Sequence, residues 1–192
     1  MVKKNLFIAG ILFSGMMISC NMNGTNDETN GEEYSEDLEE SVDEVAANAE
    51  MNPTSNSNVT GTVVFEKTDD GVKMVVELSG LTPGEHAIHL HEYGDCSATD
   101  GTSAGGHWAP EGNKHGKRGE GEFHRGDLDN FTADDDGSAF FERTIEDWTI
   151  GGSESTNIIG KSVIVHEGAD DYTSQPSGAS GPRVACGVIN EE

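Results

Sequence analysis

The chain has 192 residues, which suits one domain of ordinary size with its own core. It carries 36 Asp and Glu against 11 Lys and Arg, a formal net charge of −25. This excess of acid argues against nucleic-acid binding, because contacts to phosphates need a basic face. Glycine is abundant, with 25 residues, and this favours turn-rich β structure over helix.

The first residues have the pattern of an export signal. Lys3 and Lys4 precede an apolar run, 6–18, that is short for a membrane span. The end of this run, Met17-Ile18-Ser19-Cys20, resembles the lipobox of bacterial lipoproteins, in which the cysteine is lipidated and becomes the new N-terminus. We therefore expect 1–19 to be a lipoprotein signal peptide and the protein to be held at the cell envelope by a membrane anchor on Cys20. The alternative is an ordinary secretory signal.

The segment 20–43 is predicted to be a tether. From residue 21 onward it is rich in Asp and Glu, lacks Lys and Arg, and has almost no large apolar residues. Such a composition predicts a disordered, self-repelling chain rather than a packed element. The folded domain is accordingly predicted to cover 44–192.

The rest of the chain has the pattern of short strands separated by turn residues. Period-two alternation and turn signals predict strands at 45–51, 59–67, 72–78, 86–91, 128–132, 138–143, 161–166 and 183–189. The acidic turn 134–137 is predicted to close a hairpin. Two irregular segments, 92–127 and 167–182, interrupt the strands. The fold class is all-β: an antiparallel β-sandwich or barrel of about eight strands with two long loops.

The seven histidines all lie between His86 and His166. His89 and His91 are two apart on a predicted strand, so their side chains point to the same face. His166 also lies on a predicted strand. A metal bound by nitrogen ligands alone would favour copper, which has the highest affinity for such sites.

The first irregular segment carries a second group of metal-ligating residues. His107, His115 and His124 recur along it, and Asp127 follows them. Nitrogen and oxygen donors of this kind suit a closed tetrahedral zinc site. Because an imidazole has two ring nitrogens, one histidine could bridge both metals.

The three cysteines fit an exported protein. If Cys20 carries the anchor, Cys96 and Cys186 remain as an even pair in an oxidisable domain. Residue counting leaves two alternatives, a bridge between them or two buried thiols.

Several segments together resemble a known family. They are GEHAIHLHEYGD at 84–95, GGHWAP at 105–110, KHG at 114–116, HRGDL at 124–128, VIVHEGADD at 163–171 and GPRVACGVI at 181–189. With these segments in this order, the chain from about 45 to 189 is similar to the copper/zinc superoxide dismutases of the bacterial, exported type.

The resemblance implies a Greek-key β-barrel with one copper and one zinc ion per subunit, and superoxide as the substrate. It implies copper ligands His89, His91, His107 and His166, and zinc ligands His107, His115, His124 and Asp127, with His107 bridging the metals. It further implies a role for Asp170 in hydrogen-bonding ligands of both metals, for Arg183 at the mouth of the copper channel, and for a disulfide between Cys96 and Cys186. His86 would be a structural histidine beside the site.

Two questions stay open at this level. One is catalysis, because the alternative is a non-catalytic copper- and zinc-binding module of the envelope. The other is oligomeric state, where a homodimer is possible.

The second irregular segment has no lysine, unlike eukaryotic members that use lysines to steer the anion. Steering would rest mainly on Arg183, with possible help from Lys114, Lys117, Arg118 and Arg125, and we expect a rate below the diffusion limit.

Overall fold

A computed structural model describes residues 45–192. The predicted signal peptide, Cys20 and the tether lie outside the described residues. The described chain forms ten strands: β1 Val45–Pro53, β2 Thr60–Thr68, β3 Gly71–Ser79, β4 Gly84–His86, β5 Ile88–His91, β6 Phe131–Ala133, β7 Ala139–Ile145, β8 Ser162–His166, β9 Arg183–Val188 and β10 Asn190–Glu191. The one short helix in this range is a 3-10 turn at Thr102–Ala104. No helix among residues 45–192 is long and apolar enough to cross a membrane.

The strands form one large curled sheet and one small one. The large sheet has the order β5-β8-β9-β1-β2-β3-β7, with β10 paired to β1, and the small sheet pairs β4 with β6. Every strand pair is antiparallel. The predicted all-β, antiparallel fold class is therefore confirmed.

The core lies inside the curled sheet and follows the alternation of the sequence. Along β3, Val72, Met74, Val76 and Leu78 are buried, whereas the residues between them are partly or fully exposed. Phe65 of β2 packs in the same core. Burying side chains of this size stabilises a fold by roughly 1.5 to 3 kcal/mol each, so the alternation determines which face of each strand turns inward.

Strands β5 and β8 are buried on both faces, and this places the histidines. Ile88 and Leu90 point into the core, so His89 and His91 point to the opposite face. The first loop, 92–127, covers that region: Leu90 donates its N–H to the carbonyl of residue 126 and accepts the N–H of residue 108. The site is thus built outside the barrel wall and beneath the long loops.

Three details of the predicted elements were wrong. The predicted strand at 86–91 is interrupted at Ala87, which pairs instead with the second loop, 167–182, by donating its N–H to the carbonyl of Gly168. The strand predicted at 128–132 begins only at residue 131. The turn after it reverses the chain, but β6 pairs with β4 and β7 with β3, so no hairpin forms. The residues of the turn determine that the chain reverses direction, whereas the strands available elsewhere in the fold determine which strands pair.

Candidate metal centre

Four buried imidazoles converge at the outer face of β5. The ring of His107, from the first loop, lies 4.1 Å from that of His89 and 4.9 Å from that of His91, measured between centroids. His166, at the end of β8, lies 5.1 Å from His89. One ring nitrogen from each of the four lies within 4.8 Å of the others. We call His89, His91, His107 and His166 the four-histidine cluster.

A second cluster shares His107 and lies within the first loop. It consists of His107, His115, His124 and Asp127, all buried and again within 4.8 Å of one another. Asp127 Oδ1 is 2.7 Å from Nδ1 of His107, and its Oδ2 is 3.0 Å from Nδ1 of His115. We call this set the zinc-type cluster. Because His107 belongs to both sets, one imidazole joins the two candidate sites.

The outward nitrogens of these rings have protein partners that set their tautomers. His91 and His166 donate from Nδ1 to the carbonyls of Gly105 and Gly181, at 3.0 and 3.2 Å. His89 and His115 donate from Nε2 to the two oxygens of Asp170, each at 2.9 Å. A neutral imidazole has one N–H, so in the neutral form of each ring the other nitrogen has a lone pair free for a metal.

Those other nitrogens fit metal ions. Several buried ring nitrogens lack a hydrogen-bond partner among the described residues: Nδ1 of His89, His115 and His124, and Nε2 of His91, His107 and His166. Of these, the Nδ1 atoms of His115 and His124 face the Asp127 carboxylate at 3.0 and 3.3 Å, as ligands of one shared metal ion would. Buried polar atoms are normally satisfied, and a group of orphaned lone pairs facing one another needs a ligand between them. These donor atoms fit a metal ion in each cluster.

Electrostatics distinguish the two clusters. Burial and the neighbouring His89 lower the pKa of His166 to about 3, and burial lowers the pKa of His107 to about 4. Burial also holds the pKa of His91 well below its usual range. In the zinc-type cluster, Asp127 and Asp170 outweigh burial and raise the pKa of His115 to about 9. His91, His107 and His166 are therefore neutral ligands at pH 7, whereas metal binding at His115 must displace a proton.

Comparison with known proteins identifies the family. The model of the copper/zinc superoxide dismutase family matches residues 59–189. A solved structure of a double mutant of a SOD-like protein from Bacillus subtilis is 33% identical, with a TM-score of 0.67, over 73% of this chain and 94% of that chain. The chain belongs to the copper/zinc superoxide dismutase family. In this family context, the four-histidine cluster suits copper, and the cluster containing Asp127 suits zinc.

In the present chain, Arg183 lies beside the four-histidine cluster. Its Nη1 donates to the carbonyl of Gly101 at 2.6 Å, and its Nη2 donates to the carbonyl of Gly105 at 2.7 Å. After burial and His107, its positive charge is a further cause of the low pKa of His91. Arg183 is therefore close enough to act electrostatically on a group bound at the cluster.

The predicted disulfide is present. Cys96 of the first loop is bonded to Cys186 of β9, with their Cα atoms 5.7 Å apart. Cys186 packs with Ala104 and Ile164 in a small buried cluster outside the main core. The bond ties the first loop to the strand that begins with Arg183.

Three of the four first-loop cations named as possible help in steering the anion are paired with carboxylates in the structure. Arg118 donates to the carbonyl of Asp127 at 2.8 Å and to the carboxylate of Asp147 at 2.7 Å. Arg125 pairs with Asp147 and Glu111. Lys117 pairs with Glu120 at 2.6 Å. Three of the four proposed helpers are thus neutralised by carboxylates, and two of them tie down the loop.

Sequence analysis missed two side-chain amides that support the centre. Asn130 donates its amide to the carbonyl of Asp170 and accepts the N–H of the same residue, both at 2.9 Å. Gln175 makes the same reciprocal pair with the backbone of His115. An isolated Asn or Gln in a loop carries no sequence signal of this kind, because the partner lies 40 or 60 residues away.

Proposed function

We propose that this chain is a superoxide dismutase, converting two superoxide anions and two protons into oxygen and hydrogen peroxide. The observation that carries the proposal is the convergence of four buried imidazole nitrogens, none with a hydrogen-bond partner among the described residues, beside the partly buried cation Arg183. When bound, copper would supply the electron exchange, accepting an electron from one superoxide and returning it to the next. His89, His91, His107 and His166 would hold copper, and His107, His115, His124 and Asp127 would hold zinc.

The protein residues have separable tasks in this proposal. Arg183 would attract the small anion and orient it, because a guanidinium is a fixed, forked donor. His107 turns Nδ1 towards Asp127 and Nε2 towards the four-histidine cluster, so Nε2 is the nitrogen that would receive a proton and pass it to the product. Asp170 would keep His89 and His115 in the correct tautomer for both metals.

We further propose that the protein is exported and anchored to a membrane of the cell envelope through a lipid on Cys20, with the acidic segment after it as a spacer. The net charge of −25 argues against nucleic acid as a partner, because a strongly acidic protein is repelled by phosphates. A homodimer is compatible with this proposal and is tested by measuring the mass of the purified protein in solution.

The decisive experiment measures metal content and superoxide removal on the same sample. The purified protein loaded with copper and zinc should remove superoxide, and removal should stop when copper is chelated and return when copper is restored. Metal-replete protein without activity would contradict the enzyme and leave a copper- and zinc-binding module. The comparison protein carries the description SOD-like, so activity has to be measured on this chain itself.

A further inference from the structure

The second loop meets the zinc ligand His115 at three points. Asp170 accepts a hydrogen bond from its ring at 2.9 Å. Gly178, at φ +66°, lies so close that a Cβ atom there would collide with the Asp170 carboxylate and with Nε2 of His115. The third contact is made by Gln175, whose carboxamide reaches the backbone of His115 from the same loop.

The contact of Gln175 satisfies both backbone groups of one residue. Its Nε2 donates to the carbonyl oxygen of His115 at 2.9 Å, and its Oε1 accepts the N–H of His115 at 3.1 Å. This arrangement imitates the paired hydrogen bonds between two antiparallel strands and restrains both orientation and distance. The residue itself is exposed and buries little surface, so its effect is carried by hydrogen bonds rather than by packing.

The backbone position of residue 115 matters because its ring is held between two carboxylates. Nδ1 faces Asp127 at 3.0 Å, and Nε2 faces Asp170 at 2.9 Å. A shift of the backbone by a fraction of an ångström would break one of these contacts or turn Nδ1 away from the zinc-type cluster. Holding the backbone therefore prepares the ligand before a metal arrives.

We propose that Gln175 is a positioning residue for zinc: it clamps the first loop to the second loop at His115 and thereby tightens metal binding. The inference rests on the proposed function for the identity of the site. Without the clamp, the cost of ordering residue 115 falls on metal binding, so affinity falls while the fold persists.

The test compares three variants of the purified, metal-free protein in a titration with Co²⁺, whose visible absorption reports tetrahedral coordination at the zinc-type cluster. Gln175→Met keeps the side-chain volume and removes both hydrogen bonds. Gln175→Ala removes the hydrogen bonds and most of the side chain as well. Each should raise the dissociation constant for Co²⁺ about tenfold, in the range found for supporting residues of metal sites. Thr173→Ala, an exposed neighbour in the same loop, should bind like the parent.

Each outcome has a defined meaning. Parent-like affinity in both Gln175 variants overturns the clamp, and so does a loss confined to Gln175→Ala, because that would indicate packing. The free energy of unfolding of the metal-free variants, measured in urea, checks that both fold. A parent protein that gives no tetrahedral Co²⁺ spectrum contradicts the proposed function, and the inference with it. Because the parent is titrated first, the two failures are distinguishable.

Discussion

Arg183 and His91 donate hydrogen bonds to the same acceptor, the carbonyl oxygen of Gly105, at 2.7 and 3.0 Å. The residue proposed to attract the substrate therefore shares an acceptor with one of the proposed copper ligands. The disulfide between Cys96 and Cys186 ties the first loop, which contains Gly105, to the strand that Arg183 begins. One peptide group therefore connects the residue proposed to guide the substrate with a residue proposed to bind copper.

Replacing Arg183 tests the guidance role. Arg183→Ala should lower kcat/KM for superoxide by about tenfold or more, because the local positive charge that concentrates the anion is lost. The kcat/KM of Arg183→Lys should lie between those of the parent protein and Arg183→Ala, since lysine keeps the charge but lacks the forked geometry. The measurement is superoxide removal against ionic strength, with bound copper determined on each sample. Lys67→Ala, on the exposed side of β2, is the control and should leave the rate unchanged.

Replacing Asp170 tests its link between the clusters. Asp170→Asn puts an amide nitrogen where one of two carboxylate oxygens accepts a ring N–H, so His89 or His115 loses its acceptor. We expect metal affinity to fall by about 10- to 100-fold, the usual effect of such supporting residues. Metal retained after dialysis against a chelator is the measurement. Asp171→Asn changes the adjacent, exposed carboxylate and should retain metal like the parent.

The metal-free protein should become less stable as the pH falls from about 6.5 towards 4. The folded pKa values of His166 and His107, about 3 and about 4, lie below the unfolded value, so the unfolded chain binds protons that the folded chain does not. Urea unfolding between pH 6.5 and 5 measures this slope. His166→Gln removes one histidine with a lowered pKa, so the free energy of unfolding of this variant should depend less steeply on pH. An unchanged pH dependence would contradict the lowered pKa of His166. His115 acts in the opposite sense: its raised pKa of about 9 contributes stability that is lost as the pH rises through that value.

Removing the disulfide should destabilise the fold without abolishing the strands. Cys96 and Cys186 are 90 residues apart, and a bridge across a loop of that length stabilises a domain by about 2 to 5 kcal/mol. Replacing both by Ser should lower the free energy of unfolding, measured in guanidinium chloride, by that amount. Activity should fall as well, because the first loop would no longer be tied to the strand of Arg183. An unchanged free energy of unfolding would argue against a structural role for the bond.

Cys20→Ser tests the proposed anchor. If Cys20 is lipidated, this variant should lose incorporation of a labelled fatty acid and move from the membrane fraction to the soluble fraction. The specific activity of the recovered domain should stay the same, because the metal clusters are built from residues 89–166. Fractionation and labelling of parent and variant cells provide the measurement. Parent protein found without lipid would favour an ordinary secretory signal.

Local sequence patterns were sufficient for much of the fold. Alternation of buried and exposed residues predicted β2, β3 and β8 to within two residues at each end, because a face is chosen by burial of every second side chain. The His-x-His spacing placed His89 and His91 on one face, where the structure has them. The resemblance to a family named the two groups of residues that the structure brings together.

Only the tertiary structure decided how these groups are held. It assigned the lone pair of each ring, because the tautomers depend on carbonyls of Gly105 and Gly181 and on Asp170. In the folded protein, Arg118 and Arg125 pair with carboxylates, so they are not free to attract the substrate. The side-chain amides of Asn130 and Gln175 bind the backbone of Asp170 and His115. Residue types and local spacing determine which chemistry is available; hydrogen bonds across 40 to 80 residues of chain depend on the packed loops, and no short-range pattern encodes them.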